Sequence, residues 1–380
     1  MRVTLKLASP VRKHLPSMRP SRMALLALAC GLALSGAGSA AGQAATPPIF
    51  PAASWQSVPP ASQTAACKVE LNKANDYLRT LDTTALLAVR GGRALFSYGD
   101  VAVPNILFSA RKSILSMMYG KYVANGTITL DSTLAELDVD DIGGLLPVER
   151  GARLHQLLQS RSGVYHAAAN GGDDHAAAPA RGSQQPGSYF LYNNWDFNAA
   201  GTAFEKLTGQ SLYQTFADDL ADPLQLEDFE LARQRRSGDA KRSRHLAYHF
   251  YLSTRDMARL GYLMLQQGRW RDRQLIPADW VAQMVSVDTP SADMHPPHVA
   301  RRRFGYGYMW WLLEEPAASP LHGAYMAWGI HGQYILVMPA RGMVVAHQRQ
   351  VPVAGNWNVS WVQPRDFLRA ASMLADAPCD

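Results

Sequence analysis

The sequence predicts an α+β fold: an antiparallel sheet of about five strands, flanked by N- and C-terminal helices, with a helical region inserted after the second strand. Three observations lead there. β-prone runs lie near both ends of the chain, at 84–98 and 304–350. Helical periodicity and loops fill 130–300 between them. Amphipathic patterns at 67–81 and 364–376 bracket the whole, and a sheet split in this way packs as layers.

The elements follow in order. Val69, Leu71, Leu78 and Leu81 recur among polar residues, which is the spacing of a helix. Runs 84–89 and 93–98 are rich in strand formers and are joined by Arg90-Gly91-Gly92, a hairpin signal. A helical pattern covers 109–124 and ends near Asn125-Gly126. The clearest helices of the insertion are 152–158, 199–208, 254–267 and 277–285. Residues 167–187 are rich in Gly, Ala, Asp and Gln and read as a long loop. Strand character returns at 304–313, 325–338 and 342–350.

The ends set the domain organisation. Six of the 37 Lys and Arg fall within 1–44, with none of the 31 Asp and Glu. The apolar run that starts at Met23 follows them, and then small residues from Ser35 to Ala45. That is the pattern of a secretory signal peptide, expected at 1–44, with an apolar core too short for a stable membrane span. Residues 45–66 read as a flexible leader and 67–380 as one catalytic-sized domain. The expected location is periplasmic or secreted. Without 1–44 the chain carries 31 charges of each sign, so its basic balance does not point to nucleic acid. Cys67 and Cys379 survive cleavage; an oxidising compartment permits a disulfide between them, although spacing alone does not show one.

Three pieces carry chemistry. In Phe108-Ser109-Ala110-Arg111-Lys112 the serine and lysine share one helix face. A serine hydroxyl needs a base, and a lysine with a depressed pKa can serve. Ser-x-x-Lys is common, and a capped helix with a solvated lysine is the plain reading. Pro186-Gly187 followed by Tyr192-Asn193-Asn194 places a phenol and amides on a loop; Asn-Asn also simply favours turns. Ala327-Trp328-Gly329-Ile330-His331-Gly332 puts glycine in a strand, where backbone can approach a substrate and help form an oxyanion hole. No Gly-x-Ser-x-Gly, His-Glu-x-x-His or Cys-x-x-Cys occurs, so neither the α/β-hydrolase route, a metal site nor a cofactor has support.

In this order the pieces resemble the serine β-lactamase and penicillin-binding-protein superfamily, closest to its class C esterase and 6-aminohexanoate-dimer-hydrolase branch. Leu157–Gly163 resembles the family's Leu-Leu-Thr-His-Thr-Ser-Gly segment, and 253–258 resembles Ser-Thr-Ala-Arg-Asp-Leu-Ala. The resemblance implies that Ser109 is acylated, with Lys112 and Tyr192 as its bases. It implies that Asn194 orients substrate and lysine, and that the amides of Ser109 and Ile330, beside Gly329, form the oxyanion hole. Trp195, Trp328 and His331 are expected to flank the substrate. One departure matters: Ala327-Trp328-Gly329 stands where the family carries Lys-Thr-Gly or His-x-Gly. The expected function is therefore an esterase or amidase on a small-molecule or peptide-like substrate. A β-lactamase or D-alanyl-D-alanine peptidase is the alternative, and an inactive binding protein on the same fold is the rival of another class.

Overall fold

The computed structural model describes residues 48–352 and 359–379; the expected signal segment, 1–44, lies outside the described residues. Seven strands build one sheet: β1 Ala85–Arg90, β2 Arg93–Gly99, β3 Phe304–Tyr306, β4 Trp311–Leu313, β5 Tyr325–Gly329, β6 Gln333–Met338 and β7 Met343–Gln348. They lie in the order β3-β4-β5-β6-β7-β1-β2, with every neighbouring pair antiparallel. The last strand thus pairs with the first, Val89 opposite Val344.

Seven strands replace the five expected because two of the apolar runs fold back on themselves. The run 304–313 reverses where Gly307 N donates to Trp310 O (3.0 Å) and Met309 takes φ +62°. The run 325–338 reverses at Ile330-His331-Gly332, with φ +69° at His331 and +110° at Gly332. Strands buried on both faces are apolar throughout, so the turn between them leaves little trace in hydropathy. β6 and β7 are buried along their whole length.

Five helices matter for the site: α1 Ala65–Leu78, α2 Ala110–Ala124, α3 Asn194–Thr208, α4 Thr254–Leu265 and α5 Pro364–Asp376. Alternate residues of β6 and β7 point to opposite faces. On one face Phe367 of α5 stacks on Tyr334 (4.5 Å between ring centroids) and lies beside His347. On the other, Gly261 lets α4 close onto the sheet; a Cβ there would meet Val344 Cγ1 at 2.6 Å and Ile335 Cγ2 at 2.8 Å. α2 is buried on nearly all sides between the sheet and the inserted region. Helix α3 starts five residues before the expected position, because Asn193 Oδ1 accepts from Trp195 N (3.1 Å) and caps it there.

Residues 48–64, expected to be a flexible leader, run along the domain. Phe50 and Trp55 pack edge-on against Tyr262. Arg259, itself buried, donates to Ala52 O and Ala53 O. Ala94 N donates to Gln56 O (2.8 Å) and Val58 N to Ala94 O (2.9 Å), so this segment covers the edge of β2. Pro and Ala richness hid the two aromatic anchors.

Cys67 on α1 and Cys379 after α5 are joined by a disulfide, 312 residues apart in sequence. A link that closes so long a loop constrains the unfolded chain strongly. Replacing both cysteines by serine is expected to lower stability by about 2–5 kcal/mol. Urea unfolding followed by circular dichroism would read that loss.

Candidate active site

Ser109 is the N-cap residue of α2, and its side chain makes no capping hydrogen bond, so the hydroxyl remains available. The residue before it, Phe108, is held at φ +46°. A non-glycine side chain in that region costs about 1–3 kcal/mol and is kept only where the surroundings dictate it. The backbone there is held from two sides. Leu107 N donates to Phe250 O (3.0 Å), and Asn105–Ile106 pairs with Tyr251–Leu252.

Lys112 sits one turn on and is buried. Its Nζ lies 3.1 Å from Ser109 Oγ and 2.6 Å from Tyr192 Oη. Burial pushes the lysine pKa well down, and the neighbouring Arg111 guanidinium pushes the same way; Asp173 and Asp174 oppose them. Burial pushes the Tyr192 phenol up. Both shifts favour the neutral forms. In a neutral pair one Nζ–H donates to the phenol oxygen, and the single nitrogen lone pair faces the serine O–H. The Tyr192 and Phe197 rings lie 4.1 and 4.4 Å from Nζ, ready to stabilise an ammonium once it forms.

Arg111 is buried as well. It donates to Asn198 Oδ1 (2.8 Å) and stacks on Tyr248 with its guanidinium 4.3 Å from the ring centroid. Among the described residues it forms no ion pair with a carboxylate. An unneutralised cation beside Lys112 therefore disfavours a second positive charge there.

β5 meets the turn before α2 at Gly329. A Cβ there would lie 2.2 Å from Leu107 O and 3.3 Å from Ala110 N. The strand and the turn before α2 touch because no side chain separates them. Ile330 follows, and its side chain lines a cavity of about 220 Å³ together with Ser109 and Tyr192. Trp311, Trp328 and Trp361 form apolar walls, with Asp173, Asp174 and Arg302 as the charged ones.

The other expected residues lie elsewhere. Asn194 donates its side-chain amide to Gly171 O (2.8 Å) and its backbone N–H to Asp173 Oδ2 (2.8 Å). It holds the 171–174 loop against the cavity, and no hydrogen bond joins it to Lys112 among the described residues. Trp195 is fully buried and donates to Asp141 Oδ2 (2.7 Å), so it is a core residue away from the cavity lining. Helix α3 turns it inward, because Asn193 caps the helix only two residues earlier. His331 sits behind Ile330, edge-on to Phe108 at 5.2 Å, and does not line the cavity. Asp173, Asp174, Arg302 and Trp361 were not among the residues expected at the site, and Trp311, a tryptophan that the sequence assigned to core packing before the cleft, lines it. The two aspartates lie in a polar loop and Arg302 among three consecutive arginines; nothing local distinguishes them from solvated charge.

Residues 106–348 match the Beta-lactamase family. The chain belongs to that family. Solved structures with the same fold include a Bacillus anthracis protein assigned as a 6-aminohexanoate-dimer hydrolase, 18% identical over 79% of each chain, TM-score 0.56. EstCE1, described as a hydrolase with promiscuous acyltransferase activity, is 15% identical over 83% of this chain and 99% of its own, TM-score 0.55. A penicillin-binding-protein homologue from Caulobacter crescentus is 16% identical over 84% of this chain and 97% of its own, TM-score 0.58. No curated protein matches the chain. Among the described residues no helix of this beta-lactamase-family protein is long and apolar enough to cross a membrane.

Two outcomes follow from the geometry. Gly329→Ala is expected to cost about 1–3 kcal/mol of stability through overpacking. It also displaces a strand next to Ser109, so any hydrolysis that depends on Ser109 should fall about 10²–10³-fold; thermal melts and initial rates separate the two effects. Arg111→Gln removes a charge that depresses Lys112, so the lysine pKa rises. The acid limb of kcat/KM then moves to higher pH, while Arg111→Lys leaves it near the wild-type position. Equal limbs in all three proteins would show that Arg111 acts only through packing.

Proposed function

We propose that the protein is a serine hydrolase that cleaves an ester or amide through an acyl-enzyme on Ser109. The observation that carries this reading is the Ser109–Lys112–Tyr192 triad, its lysine and tyrosine buried, with Nζ 3.1 Å from the hydroxyl and 2.6 Å from the phenol. Neutral Lys112 takes the serine proton as Oγ attacks the carbonyl carbon. The oxyanion is received by backbone N–H groups of Ser109 and Ile330, with the positive end of α2 behind them. Tyr192, kept protonated by burial, passes its proton to the leaving oxygen or nitrogen and recovers one from the Lys112 ammonium. Water then attacks the acyl carbonyl, Lys112 accepts its proton, and that proton returns to Ser109 Oγ as the acyl C–O bond breaks, restoring serine and neutral lysine.

An ester or amide is favoured over a β-lactam by position 327. The family's lysine there is replaced by Ala327, which is fully buried and has no charge to offer a β-lactam carboxylate. The names of the similar structures, a 6-aminohexanoate-dimer hydrolase and a hydrolase with promiscuous acyltransferase activity, support acyl transfer to and from serine. An exported location is supported by the N-terminal pattern and by the Cys67–Cys379 disulfide, which persists in oxidising compartments.

A 4-nitrophenyl acetate assay tests the reading. Ser109→Ala and Lys112→Ala are each expected to lose at least about 10³-fold in kcat, and Tyr192→Phe about 10²–10⁴-fold. Mass spectrometry of wild type with a slow acylating ester should show the adduct on Ser109. Undiminished turnover in Ser109→Ala sinks the proposal, and cephalosporin turnover as fast as ester turnover replaces it with a β-lactamase.

A further inference from the structure

We propose that the substrate carries an anionic group on an extended, partly apolar tail, and that the tail lies in a second chamber beside the catalytic one with its negative end held by Arg302, Arg365 and Arg369. This rests on the serine hydrolase reading and adds the substrate class.

The second chamber has a volume of about 500 Å³, more than twice that of the catalytic cavity. That is ample for a drug-sized ligand. Arg302, Trp328 and Trp361 line both chambers, so the two adjoin across these residues. Phe304, Leu321 and Leu368 give the second chamber an apolar side. Its charged lining is three arginines against the single carboxylate of Glu315. Around it, Asp366 lies 3.5 Å from Arg365, and Asp174 faces Arg302 from the catalytic side. Arg302 and Arg369 make no ion pair with a carboxylate among the described residues. Each instead lies over an aromatic ring, Arg302 over Trp328 at 5.1 Å and Arg369 over Tyr77 at 4.8 Å. A guanidinium without a carboxylate partner can turn N–H groups to a carboxylate or phosphate, whose geometry they match.

The charge layout gives the substrate a direction. Asp173 and Asp174 line the catalytic cavity and repel an anion close to the scissile bond. Arg302 stands at the junction of the two chambers and Arg365 and Arg369 line only the second, so the negative group is favoured at a distance from the reacting carbonyl. Ala327 removes the family's cation next to the nucleophile, and Arg302 approaches the same strand from a different element, over Trp328. The anion-binding function is thereby moved outward, from the reacting centre to the tail.

The test compares 4-nitrophenyl octanoyl esters whose far end is a methyl ester, a carboxylate or an ammonium. A parallel series places the same ends on the alcohol side of acetate esters. The carboxylate-ended ester is expected to exceed the methyl-ended one by at least tenfold in kcat/KM in one series, with the advantage shrinking as salt rises. In Arg365→Gln/Arg369→Gln the ratio of the two should fall towards one; because both are measured on one enzyme, any general loss of activity cancels. A ratio near one in both series, a preference for the ammonium end, or a ratio unchanged in the double variant overturns the proposal. If acetate turnover survives Ser109→Ala, the hydrolase reading itself has failed. Titration calorimetry with octanoate against neutral octanamide then still reads the chamber: the anion must bind more tightly, and lose that advantage in the double variant.

Discussion

A bare Cα at position 329 is what lets the sheet touch the turn that carries Ser109. With any side chain there, the strand would be forced away from Leu107 O and Ala110 N. The rest of the site is arranged around this contact. Phe108 is held in a left-handed conformation on one side of it and His331 on the other, and their rings pack edge-on at 5.2 Å. Two strained residues that brace each other fix where the amides of Ser109 and Ile330 point. Such strain persists because the surrounding packing over-determines it.

Burial supplies the chemistry. The same desolvation that lowers the Lys112 pKa raises that of Tyr192, and a proton path needs both in their neutral forms. Arg111 adds to the effect on the lysine from within the core, where Asn198 and the Tyr248 ring hold it instead of a carboxylate. Asp173 and Asp174 pull the other way. Their loop is tied down by Asn194 and, through Asn170 and Asn198, to Arg111. One hydrogen-bonded network therefore positions both the group that depresses Lys112 and the groups that oppose it.

The scaffold keeps these parts in register through long-range closure. The C-terminal strand pairs with the first strand, α5 stacks on the sheet beside it, and a disulfide joins the regions around α1 and α5. The segment 48–64 seals the β2 edge. Near α5 the sheet also forms the wall of the arginine-lined chamber, so the element that closes the fold also bears on what the site admits.

The layered α+β plan was legible because apolar periodicity reports burial directly, and the nucleophile helix, the Tyr192 loop and the Gly329 strand were legible because each carries its own local signal. The number of strands was not: buried hairpins in 304–313 and 325–338 have no polar turn to mark them. Trp195 and His331 adjoin the motifs in sequence yet face the core and Phe108, since a helix or a tight turn rotates neighbours to opposite sides. The sequence by itself determined the family motif and its order, a serine with a lysine three residues on, followed by the Tyr192 loop and the Gly329 strand. Only the tertiary structure decided that the lysine is buried, that Arg111 meets Asn198 and the Tyr248 ring, and that Asp173, Asp174 and Arg302 face the cavity, because solvation and charge proximity depend on distances that the order of residues does not contain.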